Sequence, residues 1–239
     1  MEEKFNRIFN VFILAGMAVA VLAATLFKLN SGETGRALLL ISAVGSLMGI
    51  LSSVCSANGN VLTFAFGIAD VSIYAAICFI SGKFGNAFLH ALYFFPMQFV
   101  GWWQWSGRGA KGSEKVQARR LSRSQLAVYS AVFVIGSVIA YLILSRFDKS
   151  AAESFIKVSV LMDALSMVCN IIGQYLLSTA YMEQWYFWIG VNVFSVVMWL
   201  VSLRNDGGSY AIIYLIKYSF YLLNSLNGLR IWIKLSKQE

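Results

Sequence analysis

The residues that invite a chemical reading are polar ones where polar side chains are costly. Asp70 stands midway along an apolar run, 61–80, with Thr63, Gly67 and Tyr74 on the same helical face. An acid in such a run must face a bundle interior or water, so it marks a candidate site. Three further stripes recur at helical spacing. The first is His90, Phe94, Gln98, Gly101 and Trp105, with Trp102 beside it; the second is Trp185, Trp188, Asn192, Ser195 and Trp199. The third is Tyr214, Lys217, Tyr218, Tyr221, Asn224 and Gly228, flanked by Asn227. Tryptophan and tyrosine stack on flat rings, amides bond a ring's polar edge, and a carboxylate attracts a ring carrying positive charge. These groups suit recognition of a nucleoside-sized cationic heteroaromatic solute. The sequence has no P-loop, HExxH or GxSxG pattern, and its sole histidine, His90, is too isolated to hold a metal. We therefore expect no enzyme, no cofactor and no metal site.

Each group also has a plainer role. Asp70 would serve as a structural acid bonded to tyrosine or lysine. Asp163, Ser166, Asn170 and Gln174, at helical spacing, would join one helix to another. Trp185 and Trp199 would anchor a helix at the membrane interface, and Lys217 would snorkel outward or neutralise an acid.

What must position these side chains is an all-α polytopic membrane bundle. Apolar residues make up 59% of the 239-residue chain and charged ones 13%, against roughly 25% charged in a soluble domain. The net charge of +8 would suit nucleic acid, but the basic residues sit in short loops and at the ends of apolar runs. We expect membrane lipid as the surroundings and no nucleic-acid partner. About eight runs approach the ~20 residues a bilayer demands: 8–29, 37–54, 61–80, 86–105, 126–144, 158–177, 185–201 and 210–233. Between the fourth and fifth, Arg108, Lys111, Lys115, Arg119, Arg120 and Arg123 stand against the single acid Glu114. Positive loops stay in the cytoplasm, which puts the 106–124 loop and both termini there. The opposite loops carry mixed charge, including Glu33, Lys83, Asp148, Lys149, Glu153, Lys157 and Asp206.

The basic loop separates similar halves. Aligning Gly101 with Gly228 brings Trp105 onto Trp232, Gln98 onto Ser225 and His90 onto Lys217; aligned separately, the third and seventh runs bring Phe66 onto Trp188 and Asp70 onto Asn192. This reads as a parallel repeat of three helices, one linker and three helices, preceded by an extra N-terminal helix, with the solute near midplane between the halves. The expected units are 1–36 (N-terminal helix and loop), 37–105 (first three-helix unit), 106–157 (basic loop and linker helix), 158–233 (second unit) and 234–239 (tail). Gly45 and Gly49 form a GxxxG pair that lets a neighbouring helix come close. Pro96, the only proline, should disturb the fourth helix.

Pro96-Met97-Gln98-Phe99-Val100-Gly101-Trp102-Trp103-Gln104-Trp105 resembles the Pro-x-Gln-x-x-Gly-Trp-x-x-Trp signature of the PnuC-type vitamin transporters. So do Tyr181 to Trp185 leading into Trp188 and Val191-Asn192-Val193, and Leu226-Asn227-Gly228-x-Arg230-x-Trp232. The similarity runs over about 45–232. It implies a SWEET-like duplicated fold, a homotrimer, and facilitated diffusion of nicotinamide riboside across a bacterial inner membrane, with a cytoplasmic kinase trapping the product. The substrate-binding residues expected from stripes and resemblance together are Asp70, Gln98, Trp102, Trp185, Trp188, Asn192, Tyr218, Tyr221, Asn224 and Asn227. Asp70 departs from an asparagine common in the family, and relatives that take thiamine or other nucleoside-like vitamins keep those substrates open. A retinal-binding photoreceptor using Lys217 and Asp70 is the remote alternative from another class.

Overall fold

Backbone in hydrocarbon must satisfy its own hydrogen bonds, so each apolar run folds as a helix. The computed structural model describes residues 2–31, 35–80, 84–111, 114–147, 158–204 and 208–237. The helices are α1 (Glu2–Ser31), α2 (Arg36–Ala57), α3 (Leu62–Ile80), α4 (Phe84–Leu89), α5 (Phe95–Gly107), α6 (Arg123–Phe147), α7 (Val158–Ser178), α8 (Gln184–Arg204) and α9 (Gly208–Leu235). Glu33, Lys83, Asp148, Lys149, Glu153, Lys157 and Asp206, which entered the topology argument, lie outside the described residues.

Among the described residues, six helices are long and apolar enough to cross a membrane: α1, α2, α3, α6, α7 and α8. Eight crossings were expected, and the other two depart from that pattern for physical reasons. The fourth is broken into α4, a π-helical turn at His90–Phe94, and α5. Pro96 has no N–H to donate; just before it the Phe95 N–H reaches back to the His90 carbonyl, the wider π spacing. The eighth, α9, carries Lys217, Asn224 and Asn227 along its length. Helices also overrun the expected limits: α1 begins at Glu2 rather than near residue 8, because a polar turn continues a helix once the span has nucleated it.

Six helices pack as a closed ring. α2 touches α3, α3 touches α5, α5 touches α7, α7 touches α8, α8 touches α9, and α9 returns to α2. α1 lies outside the ring on α2 and α9, and α6 lies outside on α7. Gly45 admits the Ile73 side chain of α3, which brings the α2 and α3 backbones together as the GxxxG spacing suggested. Ser52 and Thr63 then bond reciprocally: Ser52 Oγ donates to the Thr63 carbonyl (2.8 Å) and Thr63 Oγ1 to the Ser52 carbonyl (3.0 Å).

The basic segment is not a free loop. Its backbone threads across the ring as a strap: Val116 N–H donates to Gly59 O (2.9 Å), Arg119 N–H to Ala180 O (2.7 Å), and Met182 N–H to Arg119 O (2.9 Å). Gly59 and Ala180 both hold positive φ, +70° and +61°, and so turn their carbonyls toward the strap. The Arg119 guanidinium lies 4.4 Å from the Tyr181 ring centre, and Glu183 accepts the Leu121 N–H (3.1 Å). Beneath the strap, Phe64, Trp105, Trp185 and Trp232 form a buried aromatic core that closes this end.

Candidate functional site

The site is built where the ring's inner faces carry polar groups. On α3 the buried stripe Thr63, Gly67 and Val71 runs beside Asp70. Gly49 of α2 makes room for that acid, since a Cβ there would lie 2.9 Å from Asp70 Oδ2. Among the described residues the Asp70 carboxylate has no hydrogen bond or ion pair, although it lies within electrostatic reach of Lys217, Tyr221 and Tyr74. A partly buried acid with that environment is available to a solute.

Gln98 of α5 is 4% exposed, donates Nε2–H to the Phe94 carbonyl (3.0 Å) and turns Oε1 against Gly67. Across the ring Asn192 of α8 donates to the Trp188 carbonyl (2.8 Å) and to Ser225 Oγ of α9 (2.9 Å). Trp188 rests on Gly173 of α7 and is partly buried. Tyr218 and Tyr221, also partly buried, stand with ring centres 6.4 Å apart. Lys217 Nζ lies 5.8 Å from the Tyr221 ring centre and 6.0 Å from that of Tyr214, so this lysine neither snorkels to a helix end nor closes an ion pair.

The remaining expected residues occupy other places. Trp185 is 2% exposed, inserted between Trp232 and Gly228 in the closed aromatic end. Trp102 flanks the Gln98–Gly101 face and is 39% exposed. Asn224, fully buried, donates to Ser53 O (3.2 Å) and Ser53 Oγ (2.8 Å), joining α9 to α2. Asn227 accepts two hydrogen bonds from Arg230, whose guanidinium also bonds Asn6 of α1. The amides of α7 act within the scaffold: Asn170 donates to Ser166 O, while Gln174 bonds Ser178, which bonds Met97 O of α5. His90 donates Nδ1–H to the Asn86 carbonyl (2.9 Å) and packs on Tyr74 and Phe94.

Similar contacts recur in the two halves at a spacing that differs from the expected alignment of the third and seventh runs. Gly59 with Ala180, Ser56 with Leu177 and Phe64 with Trp185 play the same parts, so the correspondence runs one residue away from Phe66 with Trp188. In that register Val71, not Asp70, stands where Asn192 does. Sequence reasoning missed the strap, whose signal was the alternation of buried Val116 and Ala118 with exposed neighbours.

Long apolar helices closed around polar inner faces define a multi-pass, all-helical membrane protein. The family model described as nicotinamide mononucleotide transporter matches residues 39–234. The nicotinamide riboside transporter PnuC of Neisseria mucosa is 30% identical over 203 residues, 83% of this chain and 74% of that one. Its counterpart from Haemophilus influenzae is 28% identical over 240 residues, 100% and 96% of the two chains. A crystal structure of the vitamin B3 transporter PnuC superposes with a TM-score of 0.69 at 27% identity, covering 98% of this chain and 92% of that one. The chain belongs to the nicotinamide mononucleotide transporter family.

Proposed function

We propose that this protein carries nicotinamide riboside across a bacterial inner membrane by facilitated diffusion. The observation that carries the reading is the Asp70 carboxylate, unpartnered among the described residues inside an otherwise apolar crossing, with aromatic rings and amides on the facing helices. A pyridinium ring brings the positive charge that such an acid attracts. The family description names the mononucleotide, whose phosphate adds ≈ −1.5 to −2 charge. Beside Asp70, with Lys217 the one cation among the described residues that acts on it, that phosphate is disfavoured, so the riboside fits better. Resemblance and the names of the relatives point the same way.

In this reading Asp70, Gln98, Trp188, Asn192, Tyr218 and Tyr221 meet the solute, and Trp102, Trp185, Asn224 and Asn227 shape the wall that holds them. The two sets α2–α5 and α7–α9 act as three-helix units joined by α6, with α1 as an addition. The strap end, where the basic charges gather, faces the cytoplasm, together with both termini. The sealed aromatic core there supports assigning this conformer to the state closed toward the cytoplasm. Net accumulation is left to a cytoplasmic kinase that phosphorylates the riboside, and the protein assembles as a homotrimer, as the resemblance implies. Thiamine, also a cationic heteroaromatic, is the competing substrate.

Uptake of labelled nicotinamide riboside in a bacterial strain lacking its own transporter, with thiamine measured in parallel, tests the reading. Riboside uptake restored by the intact chain is expected. Thiamine uptake alone would shift the substrate, and uptake of neither would end the proposal.

A further inference from the structure

Lys217 has a position that transport of a cation does not by itself explain. It lies about a third of the way along α9, partly buried, within electrostatic reach of Asp70. An ammonium in such surroundings is costly unless an opposite charge or aromatic faces offset it. Both are present: the rings of Tyr221 and Tyr214 at 5.8 and 6.0 Å, and the Asp70 carboxylate within electrostatic reach. Tyr214 is itself fixed, stacked on Trp199 at 4.5 Å and accepting a hydrogen bond from Lys28 Nζ (3.3 Å). Lys28 is therefore a second cation near the same ring, 5.7 Å from its centre, and its charge disfavours that of Lys217.

The separation matters as much as the proximity. A closed Asp70–Lys217 ion pair would spend the acid's charge internally and leave little attraction for a cationic solute. A lysine removed altogether would leave an isolated carboxylate in a low-dielectric interior. The arrangement observed is intermediate: the ammonium balances the acid through space, while the acid's oxygens make no hydrogen bond among the described residues. We propose that Lys217 is a built-in cation that balances Asp70 while the site is empty and yields that role to the positively charged ring of the solute, so that this pair sets the selectivity for charge. The proposal rests on the riboside reading above. The tyrosine faces hold the displaced ammonium when the solute takes its place beside the acid.

The test is a binding titration of the full-length protein in lipid nanodiscs near neutral pH. Its probes are nicotinamide riboside and the neutral isostere in which a benzene carbon replaces the pyridinium nitrogen. Lys217→Met should bind the riboside about tenfold more tightly and the isostere as the wild type does. Asp70→Asn should bind the riboside about tenfold more weakly and lose the preference between probes. Adding K217M to D70N should then change nothing further. Where K217M does not fold, Lys217→Gln supplies the same neutralisation. A Lys217 variant that shifts both probes equally, weakens the riboside, or acts as strongly in the D70N background overturns the charge exchange alone. Wild-type protein that binds neither probe ends the riboside reading and the exchange with it.

Discussion

Trp105 and Trp232 stand with ring centres 5.2 Å apart, and each donates its indole N–H to a carbonyl at the end of a helix in the other half of the chain. Trp105 bonds Leu177 O of α7 (2.8 Å), and Trp232 bonds Ser56 O of α2 (2.9 Å). Both rings are fully buried. Exchange of this kind ties the first half to the second twice, at one end of the ring.

Trp105→Phe and Trp232→Phe each leave a buried carbonyl without its donor, at a cost of about 1–3 kcal/mol. Thermal unfolding in detergent should show a lower Tm for both. Because the rings touch, the double variant should depart from the sum of the two single losses. Strict additivity would argue against one shared core.

Gly49→Ala and Gly67→Ala test the close approaches that aim the polar groups. A methyl at residue 49 meets the Asp70 carboxylate, and one at residue 67 meets Gln98 Oε1. Each should lower riboside uptake by about tenfold, the scale of a misplaced binding group. Gly107→Ala, with nothing within 4 Å of the added methyl, should leave uptake unchanged.

Trp188→Ala should weaken riboside binding by about tenfold or more, since stacking on one aromatic ring is worth about 1–3 kcal/mol. Gln98→Ala and Asn192→Ala should weaken it as well. Trp103→Ala, at a position 74% exposed, is the control with unchanged affinity. Uptake kinetics in the transporter-deficient strain separate these outcomes.

Glu183→Ala removes the acceptor for Leu121 N–H at the point where the strap crosses the α7–α8 turn. Trypsin should then cut faster at Arg119, Arg120 or Arg123. An unchanged cleavage rate would mean that the backbone bonds to Gly59 and Ala180 suffice to hold the segment.

The helices were legible because a bilayer imposes length and apolarity together, and both are written in side chains. Pro96 announced an irregularity, but its π form depends on which carbonyl the Phe95 N–H reaches, which composition does not encode. The strap was opaque for the same reason: backbone bonds to Gly59 and Ala180 leave no residue signature beyond alternating Val116 and Ala118. The recurring contacts are spaced one residue away from the expected match of Phe66 with Trp188, since apolar helices slide past one another without penalty in sequence. Trp185 and Asn227 were expected to meet the solute; both are buried, in contact with Gly228 and Arg230, and such partners depend on packing. For Asn227 the three-residue spacing to Arg230 was a readable clue to its hydrogen bond.

A closed ring of helices can part only where two neighbours are joined lightly. Taking α4, the π turn and α5 together as one broken helix against α3, contact is thinnest at the α2–α9 and α5–α7 boundaries, which lie opposite one another. The first is pinned by Trp232 and Asn224, the second by Trp105, Ser178 and the Tyr93 hydroxyl on Ile171 O. Loosening one boundary while its opposite stayed pinned would shear the helices between them. Opening of the ring would thus need both boundaries to unlatch in concert, and a crosslink across either one should arrest it.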